Sequence, residues 1–157
     1  MNPNLLSWEE AKALRETWAE QGQRVVFTNG CFDLLHPGHI QYLNDAKALG
    51  DKLILGLNAD ASISRLKGDS RPINPLKDRA AMLMGLKSMD AVVAFEEDTP
   101  QNLITLLLPD VLVKGGDYTA DDIVGAKEVR DTGGEVIVVP FLEGYSSSKL
   151  IERIKAS

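Results

Sequence analysis

Thr28-Asn29-Gly30-Cys31-Phe32-Asp33-Leu34-Leu35-His36-Pro37-Gly38-His39 follows the apolar run Val25-Val26-Phe27 and precedes a helix-like segment from Ile40 to Leu49. An apolar run, a small polar loop and a helix start in that order read as a strand–loop–helix unit. Pro37 suits the first turn of a helix, where its missing N–H costs nothing. Gly38 lets a ligand approach the backbone closely. Both histidines of the chain, His36 and His39, stand in this stretch. A helix N-terminus offers unpaired N–H groups and a partial positive charge, which suits phosphate. Two imidazoles there can donate hydrogen bonds to phosphate oxygens as charge builds up in a transition state. A single histidine near a turn is ordinarily a surface or capping group, but two that frame Pro-Gly at a strand-to-helix junction favour a site. A His-x-x-His metal pair is the other alternative. It is opposed by the place of His36 before the helix-opening proline, and Cys31 has no second cysteine with which to build a structural zinc site.

Outward from this stretch, apolar runs alternate with helical periodicity. Ser7 to Gln21 reads as a helix with a Ser7/Glu10 capping box, and Trp8, Ala11, Leu14 and Trp18 form its packing face. This N-terminal segment, 1–23, is expected to pack on the core of one domain spanning 1–157. Strands are expected at Arg24–Thr28, Lys52–Leu57, Ala91–Phe95, Val111–Val113 and Glu135–Pro140. Helices are expected at Ala61–Leu66, Leu76–Ser88, Leu103–Leu108 with Pro100 in the first turn, Asp121–Thr132 and Lys149–Ala156. Lys67 to Asn74, with Gly68, Pro72 and Pro75 around it, reads as an irregular loop. The near-continuous apolar run Leu53-Ile54-Leu55-Gly56-Leu57 suggests a strand buried on both faces. The fold class is therefore α/β, a Rossmann-like doubly wound sheet of five parallel strands in a single domain.

Composition bounds the class of partner. Over 157 residues, 44% hydrophobic and 25% charged content fit a folded globular chain rather than a disordered one. A net charge of −6 argues against non-specific binding to nucleic acid or to an acidic membrane. One cysteine excludes an internal disulfide and fits a reducing compartment. Met1-Asn2-Pro3-Asn4 lacks a basic start with a long apolar run behind it, so no signal peptide is expected. No stretch approaches the roughly 20 apolar residues of a membrane span. The expected compartment is the cytoplasm. Within this acidic chain, Arg65, Lys67, Arg71, Lys77 and Arg79 outnumber Asp69 and Asp78 over residues 61–80. That excess reads either as a solvated basic loop or as a local anion site.

The ends of parallel strands lie along one sheet edge, where open α/β sheets bind ligands. Three segments fall there: the histidine loop, Lys114-Gly115-Gly116-Asp117-Tyr118, and Tyr145-Ser146-Ser147-Ser148. Serine is a good helix cap, and capping explains one of the three; three hydroxyls beside free helix amides also make an anion site. Lys114 to Asp117 reads as a simple glycine turn or as a contact to a nucleotide or sugar. Asp33 either bonds loop amides or serves a substrate. Asn58 falls at a strand end. Lys67, beside Gly68, is the best candidate for a mobile loop cation, above Lys47 and then Arg79, which reads equally well as an ion-pair residue.

The twelve-residue block Thr28 to His39, with His36-Pro37-Gly38-His39 as its His-x-Gly-His signature, resembles the cytidylyltransferase-like branch of the nucleotidyltransferase superfamily. The likeness covers about Val25 to Ile154. It extends to Arg71-Pro72-Ile73-Asn74-Pro75-Leu76, Phe95-Glu96-Glu97-Asp98-Thr99-Pro100 and Leu108 to Tyr118, segments similar to the heptose 1-phosphate adenylyltransferases of ADP-heptose synthesis. The resemblance implies His36, His39 and Lys67 as catalytic. It implies Thr28, Asn29, Gly30, Cys31, Phe32, Gly38, Lys114, Gly115, Asp117, Ser146, Ser147 and Ser148 as nucleotide-binding, and Asp33, Lys47, Asn58 and Arg79 as substrate-binding. The matching aspartate of relatives, Asp33 here, lies near the acceptor and the metal. The counterpart of Lys47 approaches substrate phosphate.

The implied reaction moves AMP from ATP to D-glycero-β-D-manno-heptose 1-phosphate, with Mg²⁺ accompanying the triphosphate and no all-protein metal cage. The implied product, ADP-heptose, feeds lipopolysaccharide core assembly. With no kinase domain in the chain, a separate heptose kinase is expected to supply the sugar phosphate, and a homodimer is expected. Neither a nucleic-acid nor a membrane partner is expected. A glycerol-3-phosphate cytidylyltransferase and a non-catalytic nucleotide sensor are the alternatives. Cytidylyltransferase relatives carry Arg-Thr-Glu-Gly before their hydroxyl run, where this chain has Phe141-Leu142-Glu143-Gly144. A phenylalanine donates no hydrogen bond to phosphate, so the cytidylyl pattern is broken.

Overall fold

The computed structural model describes residues 2–116 and 118–157. Five parallel strands form one sheet in the order β3-β2-β1-β4-β5: β1 (Val25–Gly30), β2 (Lys52–Asn58), β3 (Ala91–Phe95), β4 (Val111–Gly115) and β5 (Glu135–Val139). Among the described residues the α-helices are α1 (Trp8–Glu20), α2 (Pro37–Lys47), α3 (Asp60–Lys67), α4 (Leu76–Met84), α5 (Gln101–Leu107), α6 (Ala126–Asp131) and α7 (Ser147–Ala156). The strand order reverses between β1 and β4, and such a switch point opens a crevice at the carboxyl ends of the strands.

Alternation along the strands divides the core into two layers, as a sheet covered on both faces requires. Val25, Phe27, Ile54, Val93 and Leu112 face one layer, which Ala11 and Trp18 of α1, Leu103, Ile104 and Leu107 of α5, and Val129 of α6 complete. Val26, Leu53, Leu55, Leu57, Val92, Val111 and Val113 face the other, with Tyr42, Leu43 and Ala46 of α2 and Ala80 and Leu83 of α4. The Ser7/Glu10 capping box of α1 is formed in both directions.

Several boundaries depart from the sequence expectation. β1 runs two residues further, because Asn29 and Gly30 still pair with Gly56 and Leu57 of β2. The expected helix over 121–132 splits into a 3₁₀ turn at Ala120–Asp122 and the short α6. Gly125 between them has φ +86°, a left-handed conformation that interrupts a right-handed helix. α4 stops at Met84, with Gly85 as its C-cap. α7 starts at Ser147, so two of the three serines lie inside its first turn.

Candidate active site

β1 ends at Gly30, and the chain crosses the carboxyl edge of the sheet before α2 begins at Pro37. His36 is the N-cap of α2: its Nδ1 accepts the His39 amide N–H at 3.3 Å. With Nδ1 engaged as an acceptor, the neutral ring carries its proton on Nε2. The two imidazoles stack with centroids 3.8 Å apart and planes 21° from parallel. Phe32 flanks His39 at 5.0 Å, and Tyr145 flanks His36 at 6.0 Å. Gly38 is required by space: a Cβ there would lie 2.9 Å from the His36 ring and 3.1 Å from the Tyr145 Cβ.

Burial, helped by repulsion from His36 and Lys67, pushes the His39 pKa down to about 4. Burial also lowers that of His36. Both rings are therefore neutral at neutral pH, hydrogen-bond donors rather than fixed cations. Burial likewise lowers the pKa of Lys114, whose Nζ lies 5.5 Å from the centre of the Tyr118 ring. Burial raises the pKa of Cys31, which keeps it a thiol.

These groups line a cavity of about 420 Å³. Its walls come from the histidine loop (Asn29 to Asp33, His36, Gly38, His39), the end of α3 and the loop behind it (Lys67, Arg71), the end of β4 (Lys114, Gly115, Tyr118), and the turn into α7 (Tyr145 to Ser148). Phe141 lines it too, 64% exposed, with its ring against Gly115. Ser146 caps α7 by accepting the Lys149 N–H at 3.0 Å. Ser147 Oγ donates to the Leu34 carbonyl at 2.9 Å, which ties α7 to the histidine loop. The Lys149 amide is taken by this cap, while the Ser147 and Ser148 amides ahead of it have no intrahelical acceptor and so remain available to an anion.

Asp33 is buried and fully engaged. Its Oδ2 accepts Arg71 Nε at 2.7 Å and the Ile73 N–H at 2.8 Å, and its Oδ1 accepts the Asn74 N–H at 2.8 Å. Burial would raise its pKa, but the two amides and the guanidinium outweigh that and hold it below the ordinary carboxylate range. Of the two roles open to this residue in the sequence, bonding loop amides is the one this geometry displays.

The structure gathers most of the sequence-selected residues but leaves some apart. Lys47 sits at the far end of α2, where its Nζ pairs with Asp90 at 2.5 Å. Asn58 is buried and donates to Ser62 Oγ. Thr28 is buried and shares a 2.5 Å hydrogen bond with the Tyr42 hydroxyl. Arg79 is fully buried and donates to the Asn74, Cys31 and Asn58 carbonyls and to Asp60, so it fastens the site's framework rather than facing the cavity. Asp117 lies outside the described residues. Lys67 is the last residue of α3 rather than part of a loop. Within the basic segment, Arg65, Arg71 and Arg79 carry carboxylate partners. Among the described residues no ion pair forms at Lys67.

Arg71, Tyr42, Phe141 and Leu142 also line the cavity, though none is among the candidate site residues chosen from the sequence. Arg71 enters there only as a member of the basic run, and Phe141 only as the break in the cytidylyl pattern; Tyr42 carries no local signal beyond its place on a helix. Among the described residues no group of three or more His, Cys, Asp or Glu is placed to hold a metal ion. With both Asp33 oxygens engaged, these residues do not fit a protein-held Mg²⁺.

Residues 27–153 match the family described as cytidylyltransferase-like. The chain is 53% identical over 155 residues to the bifunctional protein HldE of Gluconacetobacter diazotrophicus, covering 99% of this chain and 32% of that protein. It is 57% identical over 136 residues to the bifunctional protein HldE of Proteus mirabilis, covering 87% of this chain and 29% of that one. The chain thus spans about a third of the length of the curated relatives it matches. A lipopolysaccharide core biosynthesis protein from Thermoplasma volcanium is 30% identical, with a TM-score of 0.63, over 80% of this chain and all of that one. The pantoate-beta-alanine ligase of Francisella tularensis, solved with an ATP analogue and beta-alanine, shares the fold at a TM-score of 0.61 and 16% identity, over 96% of this chain and 77% of that one.

Proposed function

The chain belongs to the cytidylyltransferase-like family of nucleotidyltransferases, and we propose that it transfers AMP from ATP to D-glycero-β-D-manno-heptose 1-phosphate, releasing pyrophosphate and ADP-heptose. The observation that carries this reading is the cavity at the strand-order switch, where the stacked histidines, Lys67, Lys114 and the amide end of α7 surround one space of nucleotide size. The likeness to the HldE proteins and to a lipopolysaccharide core biosynthesis protein supports the sugar-phosphate acceptor.

A phosphate oxygen of the sugar 1-phosphate attacks the α-phosphorus of ATP. The bond from that phosphorus to the oxygen bridging to the β-phosphate breaks, and pyrophosphate leaves with the electron pair. The attacking oxygen is already anionic at neutral pH, so no general base is needed. Positioning and charge stabilisation do the chemistry. Neutral His36 and His39 suit that role as donors to phosphate oxygens. Lys67 and Lys114 add positive charge, and the first turn of α7 adds amide donors. Mg²⁺ enters with the triphosphate as part of the substrate.

The relatives are about three times as long and are named bifunctional. We infer that the kinase producing the sugar phosphate is a separate activity from that of this domain. A homodimer and a cytoplasmic location complete the proposal; no helix among the described residues is long and apolar enough to cross a membrane. The test is pyrophosphate release from ATP, CTP, GTP and UTP, each against heptose 1-phosphates, other sugar phosphates and glycerol 3-phosphate. Release with ATP and a heptose 1-phosphate is expected. Preferential use of CTP with glycerol 3-phosphate would replace the reading, and no release from any pair would remove it.

A further inference from the structure

Arg71 lines the same cavity, yet its guanidinium is unlike the other cations there. The residue is only 9% exposed. Nε is committed to Asp33, while Nη2 is shielded from solvent and has no hydrogen-bond partner among the described residues. An enclosed charged donor without an acceptor is costly, and native proteins seldom keep one without a use. The residue is also held from behind. Its carbonyl accepts Ser64 Oγ at 2.8 Å, and its N–H donates to the Gly68 carbonyl at 3.1 Å. Asp33, in turn, is fixed by the Ile73 and Asn74 amides. The guanidinium is thus oriented before any ligand arrives, and a planar fork with donors to spare matches phosphate geometry.

Topology says which phosphate. Lys114 and the serine turn reach the cavity from the β4 and β5 side of the switch, and the histidines reach it from β1. Arg71 comes from the opposite flank, behind α3, which follows β2. A nucleotide lying across the β1–β4 crevice leaves the β2 flank to the second substrate.

We propose that Arg71 binds the phosphate of the acceptor, with Asp33 as the residue that positions it. This assignment rests on the nucleotidyl-transfer reading, and the experiment separates the two. Arg71→Met and Arg71→Lys are compared with the wild type in steady-state kinetics with ATP and heptose 1-phosphate varied independently. Inorganic phosphate binding is titrated calorimetrically in parallel. Arg71→Lys keeps a charge opposite Asp33, and so preserves the fold, but a single ammonium cannot serve Asp33 and a phosphate with the same fork.

Both variants are expected to raise the KM for heptose 1-phosphate, and the dissociation constant for inorganic phosphate, by about tenfold or more. The KM for ATP should stay within about twofold. Unchanged acceptor KM and phosphate affinity in the folded Arg71→Lys protein would overturn the assignment, as would a rise confined to ATP. If the wild type turns over no sugar phosphate, the nucleotidyl-transfer reading fails, and the phosphate titration decides Arg71 alone: weaker binding in the variants supports it, and equal or undetectable binding overturns it.

Discussion

His39 shows how one side chain couples the site to the stability of the fold. Its ring stacks on His36 and lies against Phe32, and its pKa falls to about 4 because burial disfavours the charged form. In the unfolded chain the ring titrates near its ordinary value of 6.5. Between those two values the unfolded state binds the extra proton and the native state does not, so stability rises with pH there and falls as pH drops from about 6.5 toward 4. Thermal melts across this range should show that slope, and His39→Gln, which cannot charge, should flatten it. An unchanged slope would contradict the burial of a neutral ring. Asp33 acts in a different window. Held below the usual carboxylate range, it withdraws its stabilisation only at more acidic pH. In turnover, His39→Ala should lower kcat by roughly a hundredfold or more with the fold intact, the order expected for a lost donor to developing negative charge. Near-normal kcat in a folded variant would remove His39 from the chemistry.

Elements place these side chains, and here the sequence was legible to different depths. The strand–loop–helix unit at Thr28 to His39 could be read because Pro37, Gly38 and the flanking apolar run each have one local meaning, and α2 opens at Pro37; that His36 caps it is the role the sequence reading sets below a site role. The five strands could be read from their buried runs, which tolerate little polarity. Long-range partners were hidden. Nothing local in Lys47 announces Asp90 across 43 residues, and nothing in Arg79 announces four acceptors drawn from the histidine loop, the end of β2, α3 and the residue 74 turn. Arg79→Met should therefore cost about 3 kcal/mol or more, since several buried carbonyls lose their donor together. A urea midpoint close to that of the wild type would contradict this tie between elements. Lys67, exposed at the last turn of α3, should behave oppositely. Lys67→Ala is expected to reduce activity strongly while costing under about 0.5 kcal/mol. A large stability loss with normal specific activity would mark it as structural.

At the scale of the whole molecule, the sheet brings four separate chain segments to one edge, and the strand-order switch gives them a common crevice. The charge distribution fits this: a net charge of −6 overall, with Lys67, Arg71 and Lys114 gathered at the cavity. Phe141 lies over Gly115, so the wall beside the α7 amides donates no hydrogen bond from that position. In competition with heptose 1-phosphate as acceptor, ATP is expected to outcompete CTP; equal or greater use of CTP would return the chain to the cytidylyl pattern. The most direct measurement is phosphorus NMR of the protein mixed with MgATP and D-glycero-β-D-manno-heptose 1-phosphate. The account predicts that the sugar monophosphate signal disappears as a sugar-nucleotide diphosphate and pyrophosphate grow in equal amounts. A persistent monophosphate signal, or ATP consumed to ADP and inorganic phosphate instead, would contradict it.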